Sequence, residues 1–276
     1  MKKTLTILTT LLLALPALAQ EETKEMGNIV TDRPTQSVSA FTVGKGIFQV
    51  ETGFALQVEN AFFADFSMPG SMVFPADFQA ITYNTTLLRY GISDRVELRF
   101  GQNLGRTRVV ADGDLLAKSD ALFIPTSLGA KVNLLDPVGA RPAISFVGQI
   151  SGPLFSDLEL GTDLEFRFNF AHQLNENLSV GYNIGGVVNT NANDNSFTGL
   201  YTAVLGYSIT PKLAAFAEFF GFLNSGQGQN DHQIDFGLTY LVNSNFQLDV
   251  YGGSGLSDIS PDTLFGFGFS ARIPKN

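Results

Sequence analysis

Cysteine and tryptophan are absent from this 276-residue chain, and histidine occurs only twice. Without cysteine there is no disulfide framework and no N-terminal cysteine to carry a lipid anchor. Basic residues are in the minority, 17 Lys+Arg against 26 Asp+Glu for a net charge of −9, which argues against nucleic acid as a partner. Long hydrophobic runs are missing too. No stretch approaches the roughly 18 to 20 apolar residues that a membrane-spanning helix requires. The short apolar run at 11–15 follows Lys2 and Lys3 and precedes Ala17-Leu18-Ala19. That order reads as a secretory signal peptide over 1–19, with an exported chain starting near Gln20. Removing Lys2 and Lys3 leaves 15 basic against 26 acidic residues, a net charge of −11.

What is abundant is glycine, with 28 residues, and phenylalanine, with 25. They fall into a period-two pattern. In 162–174, Leu164, Phe166, Phe168 and Phe170 alternate with Asp163, Glu165, Arg167 and Asn169. A strand sends successive side chains to opposite faces, so this segment has one apolar face and one charged face. Twelve such segments recur, at 46–58, 78–90, 95–104, 120–134, 140–151, 162–174, 177–189, 197–209, 212–222, 231–242, 245–253 and 263–273. Strands of soluble proteins run about 5 to 6 residues, whereas membrane-crossing strands need about 9 to 11. These segments mostly have the longer length. Their connections sort by parity. Tight turns follow the even-numbered segments, and longer loops at 59–77, 103–119, 152–161, 190–196, 223–230 and 254–262 follow the odd ones. That is the pattern of a barrel with short periplasmic turns and long external loops.

The expected fold is therefore all-β, a single closed antiparallel transmembrane β-barrel of about 12 strands over 46–276. In hydrocarbon every backbone donor and acceptor must be paired within the sheet, and closure leaves no edge. The phenylalanines then face lipid and the charged residues face the interior. Residues 20–45 contain Pro34, show no alternation and carry Asp32 beside Arg33. They are expected to fold into or across the periplasmic mouth as an N-terminal plug, with Asp32, Arg33 and Pro34 at its centre and Asp32 near Arg89, Arg99 and Arg141.

The start I-V-T-D-R-P-T-Q-S at 29–37, G-I-F-Q-V-E-T-G-F at 46–54, L-L-R-Y-G-I-S-D-R-V-E-L-R at 87–99 and the hairpin at 231–251 resemble the bacterial outer-membrane family named for the MetA pathway of phenol degradation. The resemblance covers nearly the whole exported chain. It implies a transporter-like barrel and, through the family's name, small aromatic compounds as solutes.

The inward-facing charges form the candidate solute path: Glu51, Arg89, Glu97, Arg99, Lys131, Arg141, Asp163, Glu165, Arg167, Asp235 and Arg272. Most of the cations fall near the periplasmic ends of their segments and the acids Asp163, Glu165 and Asp235 toward the outer ends. The expected lumen is basic below and acidic above, and Phe216, Phe220 and Tyr251 add aromatic surface to it. A basic constriction suits anionic solutes such as aromatic carboxylates. The competing reading is a structural barrel whose charges are permanently paired.

His172 and His232 fall on the lipid face near strand ends, where headgroup-level anchoring is expected. A lipid hydrolase would need a Ser–His pair on the outer wall, and Ser254 falls roughly opposite His232, but no outward acid or amide completes a triad. The 189–195 loop has oxygen ligands but lacks the glycine and terminal Glu of a calcium loop. The sequence thus predicts a non-enzymatic outer-membrane transporter of small, partly apolar solutes, without cofactor or metal. Its expected partners are outer-membrane lipid, the outer-membrane assembly machinery and the solute itself.

Overall fold

The computed structural model describes residues 27–65, 72–155, 161–191, 194–225 and 228–273. The signal-peptide reading of 1–19 and the first part of the 20–45 segment lie outside the described residues. So does the end of the chain at 274–276. No helix among the described residues is long and apolar enough to cross a membrane, which is no constraint on a chain that crosses with strands.

Fourteen strands form one sheet: β1 (Phe48–Asp65), β2 (Met72–Ser93), β3 (Val96–Ala111), β4 (Asp114–Lys118), β5 (Leu122–Phe123), β6 (Thr126–Leu135), β7 (Ala143–Gly152), β8 (Thr162–Gln173), β9 (Leu178–Asn191), β10 (Asp194–Ser208), β11 (Leu213–Ser225), β12 (Gln229–Asn243), β13 (Phe246–Gly255) and β14 (Thr263–Ile273). Twelve of them are wall strands, each hydrogen-bonded to its two neighbours. β4 and β5 are short pieces along the upper edge of β3. The sheet closes where β1 pairs antiparallel with β14, from Phe48↔Ile273 to Val58↔Thr263. With closure complete, the wall has no open edge.

The side chains are sorted opposite to a water-soluble protein. Phe267, Phe236 and Ile184 are between half and two-thirds exposed on the outside, whereas Glu51, Arg89, Glu97 and Lys131 have no exposed surface. Outward rings meet across neighbouring strands, with Phe54 stacked on Phe267 at 5.5 Å and Phe146 tilted against Phe168 at 5.1 Å between centroids. Cross-strand aromatic pairs of this kind hold register on the outer face. An apolar exterior around a polar interior is stable only when the exterior meets an apolar solvent.

One end of the barrel carries tight connections, such as Asp94-Arg95 between β2 and β3 and Ser244-Asn245 between β12 and β13. At the other end the expected long loops prove to be largely strand. β1 and β2 remain paired from Phe48↔Tyr90 out to Asp65↔Met72, so most of 59–77 is a projecting hairpin. β9 and β10 pair out to Asn191↔Asp194, so the described part of the expected 190–196 loop is strand. The asymmetry between the two ends therefore lies largely in strand overhang, with the irregular connection at 256–262 between β13 and β14 adding to it.

Candidate functional site in the barrel lumen

Residues 27–47 run inside the barrel and take their polar partners from around the wall. The segment starts at the turn end, where the Ile29 N–H donates to the Ser244 carbonyl and Arg272 donates to the Gly27 carbonyl. Glu51 Oε2 accepts the N–H groups of both Asp32 and Arg33, each at 2.9 Å. Farther in, Glu218 accepts the Gln36 and Ser37 N–H groups at 2.7 Å each. The Asn183 amide pairs with both backbone groups of Val38, at 2.6 and 3.0 Å. Ser37 Oγ lies 2.5 Å from Thr202 Oγ1. The segment then returns to the turn end: the Val43 N–H reaches Glu97, the Thr42 hydroxyl donates to the Asp94 carbonyl, and the Gly46 N–H donates to the Gly91 carbonyl. A chain crossing a lumen has no ladder of its own, so the wall's side chains must satisfy its backbone groups.

The tightest part is an ionic cluster. The Asp32 carboxylate accepts from Arg99 at 2.6 Å and from Lys131 at 3.1 Å, and lies 3.7 Å from Arg89. Arg89 also binds Glu51 at 2.8 Å and Glu97 at 2.9 Å. Glu97 in turn reaches Arg99 at 2.9 Å and Lys131 at 3.5 Å. Three cations meet three carboxylates, all with less than a tenth of their surface exposed. Burial opposes the charge on Asp32, but Arg89, Lys131 and Arg99 outweigh it and hold its carboxyl well below the usual carboxylate range.

Arg33 makes a second anchor one level farther in. Its guanidinium binds Asp249 at 2.8 Å and the Thr85 hydroxyl at 2.5 Å. It lies over Gly53 of β1 and Gly268 of β14, which are register partners across the closure. A Cβ on either glycine would collide with the guanidinium, so two bare positions on the inner wall make room for it.

The expected site residues do not form one set. Glu51, Arg89, Glu97, Arg99 and Lys131 converge on Asp32. Glu165 and Arg167 pair with each other, and Arg167 also donates to the Gln36 carbonyl. Asp163 accepts from Asn189. Asp235 is 1 % exposed, and neither of its carboxylate oxygens has a hydrogen-bond partner. Arg141 corrects the expectation, because it lies in the β6–β7 connection, exposed, donating to the Asp136 carbonyl, and has no contact with Asp32. Arg141 pairs with Val138 in an isolated bridge within this connection, and the wall strand β7 begins only two residues later, at Ala143. Arg272 is at the rim of the turn end, bound to Asn245, Ser244 and Gly27. The layer around Asp32 is likewise not basic, because Asp32, Glu51 and Glu97 balance its three cations.

Glu218, Asp249, Asn183 and Thr202 hold the segment but are absent from the sequence-derived set. Glu218 has a visible signal, since it is the sole ionisable residue in A-A-F-A-E-F-F at 214–220, at an inward register position. On the outer wall, His172 lies 3.4 Å from the Tyr182 hydroxyl and His232 Nδ1 lies 2.6 Å from the Tyr201 hydroxyl. The residue opposite Ser254 is Ile234, and the Ser254 hydroxyl donates to the Asp262 carbonyl, so His232 and Ser254 form no pair.

The family model described as "Putative MetA-pathway of phenol degradation" matches residues 31–273. Among solved structures, the barrel is similar to the KdgM porin, with 10 % identity, 80 % of this chain and 98 % of that one covered, and a TM-score of 0.48. The CymD monoaromatic hydrocarbon channel has 8 % identity, coverages of 84 % and 90 %, and a TM-score of 0.43. The Ralstonia pickettii toluene transporter TbuX has 10 % identity, the same coverages and a TM-score of 0.44. No curated protein matches the chain in sequence.

Proposed function

The chain belongs to the MetA-pathway phenol-degradation family, and on that premise we propose that it is an outer-membrane channel for small, partly apolar solutes, closed at its periplasmic end by residues 27–47. The tight turns face the periplasm and the projecting hairpins face outward. The observation that carries this reading is the division of labour inside the lumen. The cluster around Asp32 is charge-balanced and spent on holding the segment. Beyond it the wall keeps Asp163, Asp231 and Asp235, none of them in an ion pair among the described residues and none bound to the segment, alongside Phe216, Phe220 and Tyr251. A purely structural filling would match these carboxylates with cations. An acidic, aromatic-lined passage instead favours neutral or cationic solutes with an apolar body, and disfavours the anionic aromatic acids suggested by the cation count alone. No catalytic role follows for His232, whose ring is engaged by Tyr201.

Single-channel conductance of refolded protein, intact and with residues 27–44 deleted, tests the proposal. A low conductance that rises on deletion and selects for cations supports a plugged channel. If neither form conducts, the barrel is structural.

A further inference from the structure

The cations of the described chain fall into three groups. Arg33, Arg89, Arg99, Lys131 and Arg167 lie in the lumen, each in an ion pair. Lys45, Arg95, Arg141, Lys212 and Arg272 lie at the turn end. The hairpin end has Arg106, Arg108 and Lys118 among the described residues, and these are neighbours. Arg106 and Arg108 are two positions apart on β3, and Arg108 is the register partner of Lys118 on β4.

Their face is the outer one. β3 has no bulge between its inward residues Glu97 and Arg99 and this point, so Arg106 and Arg108 share the face of Leu98, Phe100 and Leu104. None of the three is in an ion pair among the described residues, although Asp77, Asp112, Asp114 and Asp120 lie in the same region. Arg108 donates to the Gln79 side chain at 2.6 Å. The Arg106 guanidinium stacks 5.6 Å from the Tyr83 ring centre, and its Nε is buried without a hydrogen-bond partner. Like charges directly opposite each other on a sheet are destabilising, so this face calls for an anion.

Height along the barrel says which anion. Arg106 follows Val96, the first residue of β3, by ten positions. At about 3.4 Å per residue and a tilt of about 40°, that is roughly 26 Å along the axis, close to the height of about 25 Å of a barrel's apolar band. The patch therefore sits where the band ends, beside an outward tyrosine of the kind that marks the lipid–water interface.

We propose that Arg106, Arg108 and Lys118 bind the phosphate groups of a phosphorylated outer-leaflet lipid and hold it against the barrel wall. This rests on the outer-membrane reading above. Refolded protein in neutral detergent is mixed with lipopolysaccharide or with phosphatidylcholine, and the retained lipid is measured after gel filtration. Wild-type protein is expected to retain lipopolysaccharide selectively, with a steep dependence on salt. The triple variant R106Q/R108Q/K118Q loses on the order of a hundredfold in affinity, while R106K/R108K keeps most of it. Equal retention by wild type and the triple variant overturns the proposal, as does complete displacement of the lipid by inorganic phosphate. Insertion of the same proteins into phosphatidylcholine vesicles, read from faster gel mobility before heating, separates the two readings. Failure to insert sinks the membrane placement itself, whereas normal insertion without lipopolysaccharide preference sinks the lipid site alone.

Discussion

Replacing Asp32 with Asn should release the plug, and the size of the effect follows from the charges around it. Asp32 balances the third of three buried cations; without it, Arg89, Arg99 and Lys131 face only Glu51 and Glu97. Removing one partner of a buried ionic network costs about 3 to 5 kcal/mol, because the orphaned charge stays buried. The cost falls on the docked state alone, since in the undocked state water reaches the same groups. Even the lower figure shifts the docked population by roughly 150-fold, at 1.36 kcal/mol per factor of ten. The chain has no cysteine, so a single Ser37→Cys substitution gives a clean reporter: Ser37 is 6 % exposed when docked. The labelling rate by a membrane-impermeant thiol reagent then tracks the undocked fraction. Adding Asp32→Asn to this background should raise the rate at least a hundredfold while the barrel stays heat-modifiable. A change of less than twofold would refute the idea that the cluster holds the plug.

Other consequences are open to the same methods. Arg33→Gln should accelerate labelling with the barrel's heat-modifiability unchanged, whereas Gly268→Val should also weaken the barrel, because its Cβ would meet the Thr52 backbone carbonyl across the seam as well as the Arg33 guanidinium. Asp235→Asn should raise stability toward urea by about 1 kcal/mol, since it removes a buried carboxyl that has no hydrogen-bond partner and lies directly opposite Glu218; a loss of stability would refute this reading of the pair. Phe236→Arg, at the middle of β12 on the outer face, should cost about 2 to 4 kcal/mol in urea unfolding from phospholipid vesicles, whereas a water-facing position would tolerate it within about 0.5 kcal/mol. Because the Asp32 carboxyl is depressed in the folded state, its stabilisation is complete above the ordinary carboxylate pKa of about 3.9 and is lost only as pH falls through the depressed value. Labelling relative to a free thiol at the same pH should therefore be flat from about pH 7 to pH 5 and increase only in stronger acid.

The wall was legible in the sequence wherever one face meets lipid. In β8, Leu164, Phe166 and Phe168 against Glu165 and Arg167 leave one register in which no charge faces outward. Legibility fails in the outer parts of β1 and β2, where Phe62, Phe63 and Phe74 are interrupted by Asn60, Pro75 and Asp77. Both faces of that hairpin lie beyond the apolar band, so alternation is not required and none is present. The interior was readable as a set of inward charges but not as partnerships. Period two says that Glu218 faces in; it does not say that two N–H groups from residues 36 and 37, some 180 positions earlier, will be waiting there. Arg141 failed for a local reason, since it is tied to Val138 in the turn-end connection and β7 starts only at Ala143.

The position of Arg33 over paired glycines of β1 and β14 also bears on how the molecule is made. The segment's docking groups come from β1, synthesised early, and from β11 and β13, synthesised near the end, so the segment finds its full set of partners only when translation of the barrel is nearly complete. The seam joins the first strand to the last, and an arginine lies across its inner side. The earliest-made part of the described chain thus lies as a clasp across the joint with the latest, and a barrel without it would carry a bare, glycine-lined stripe along its own seam.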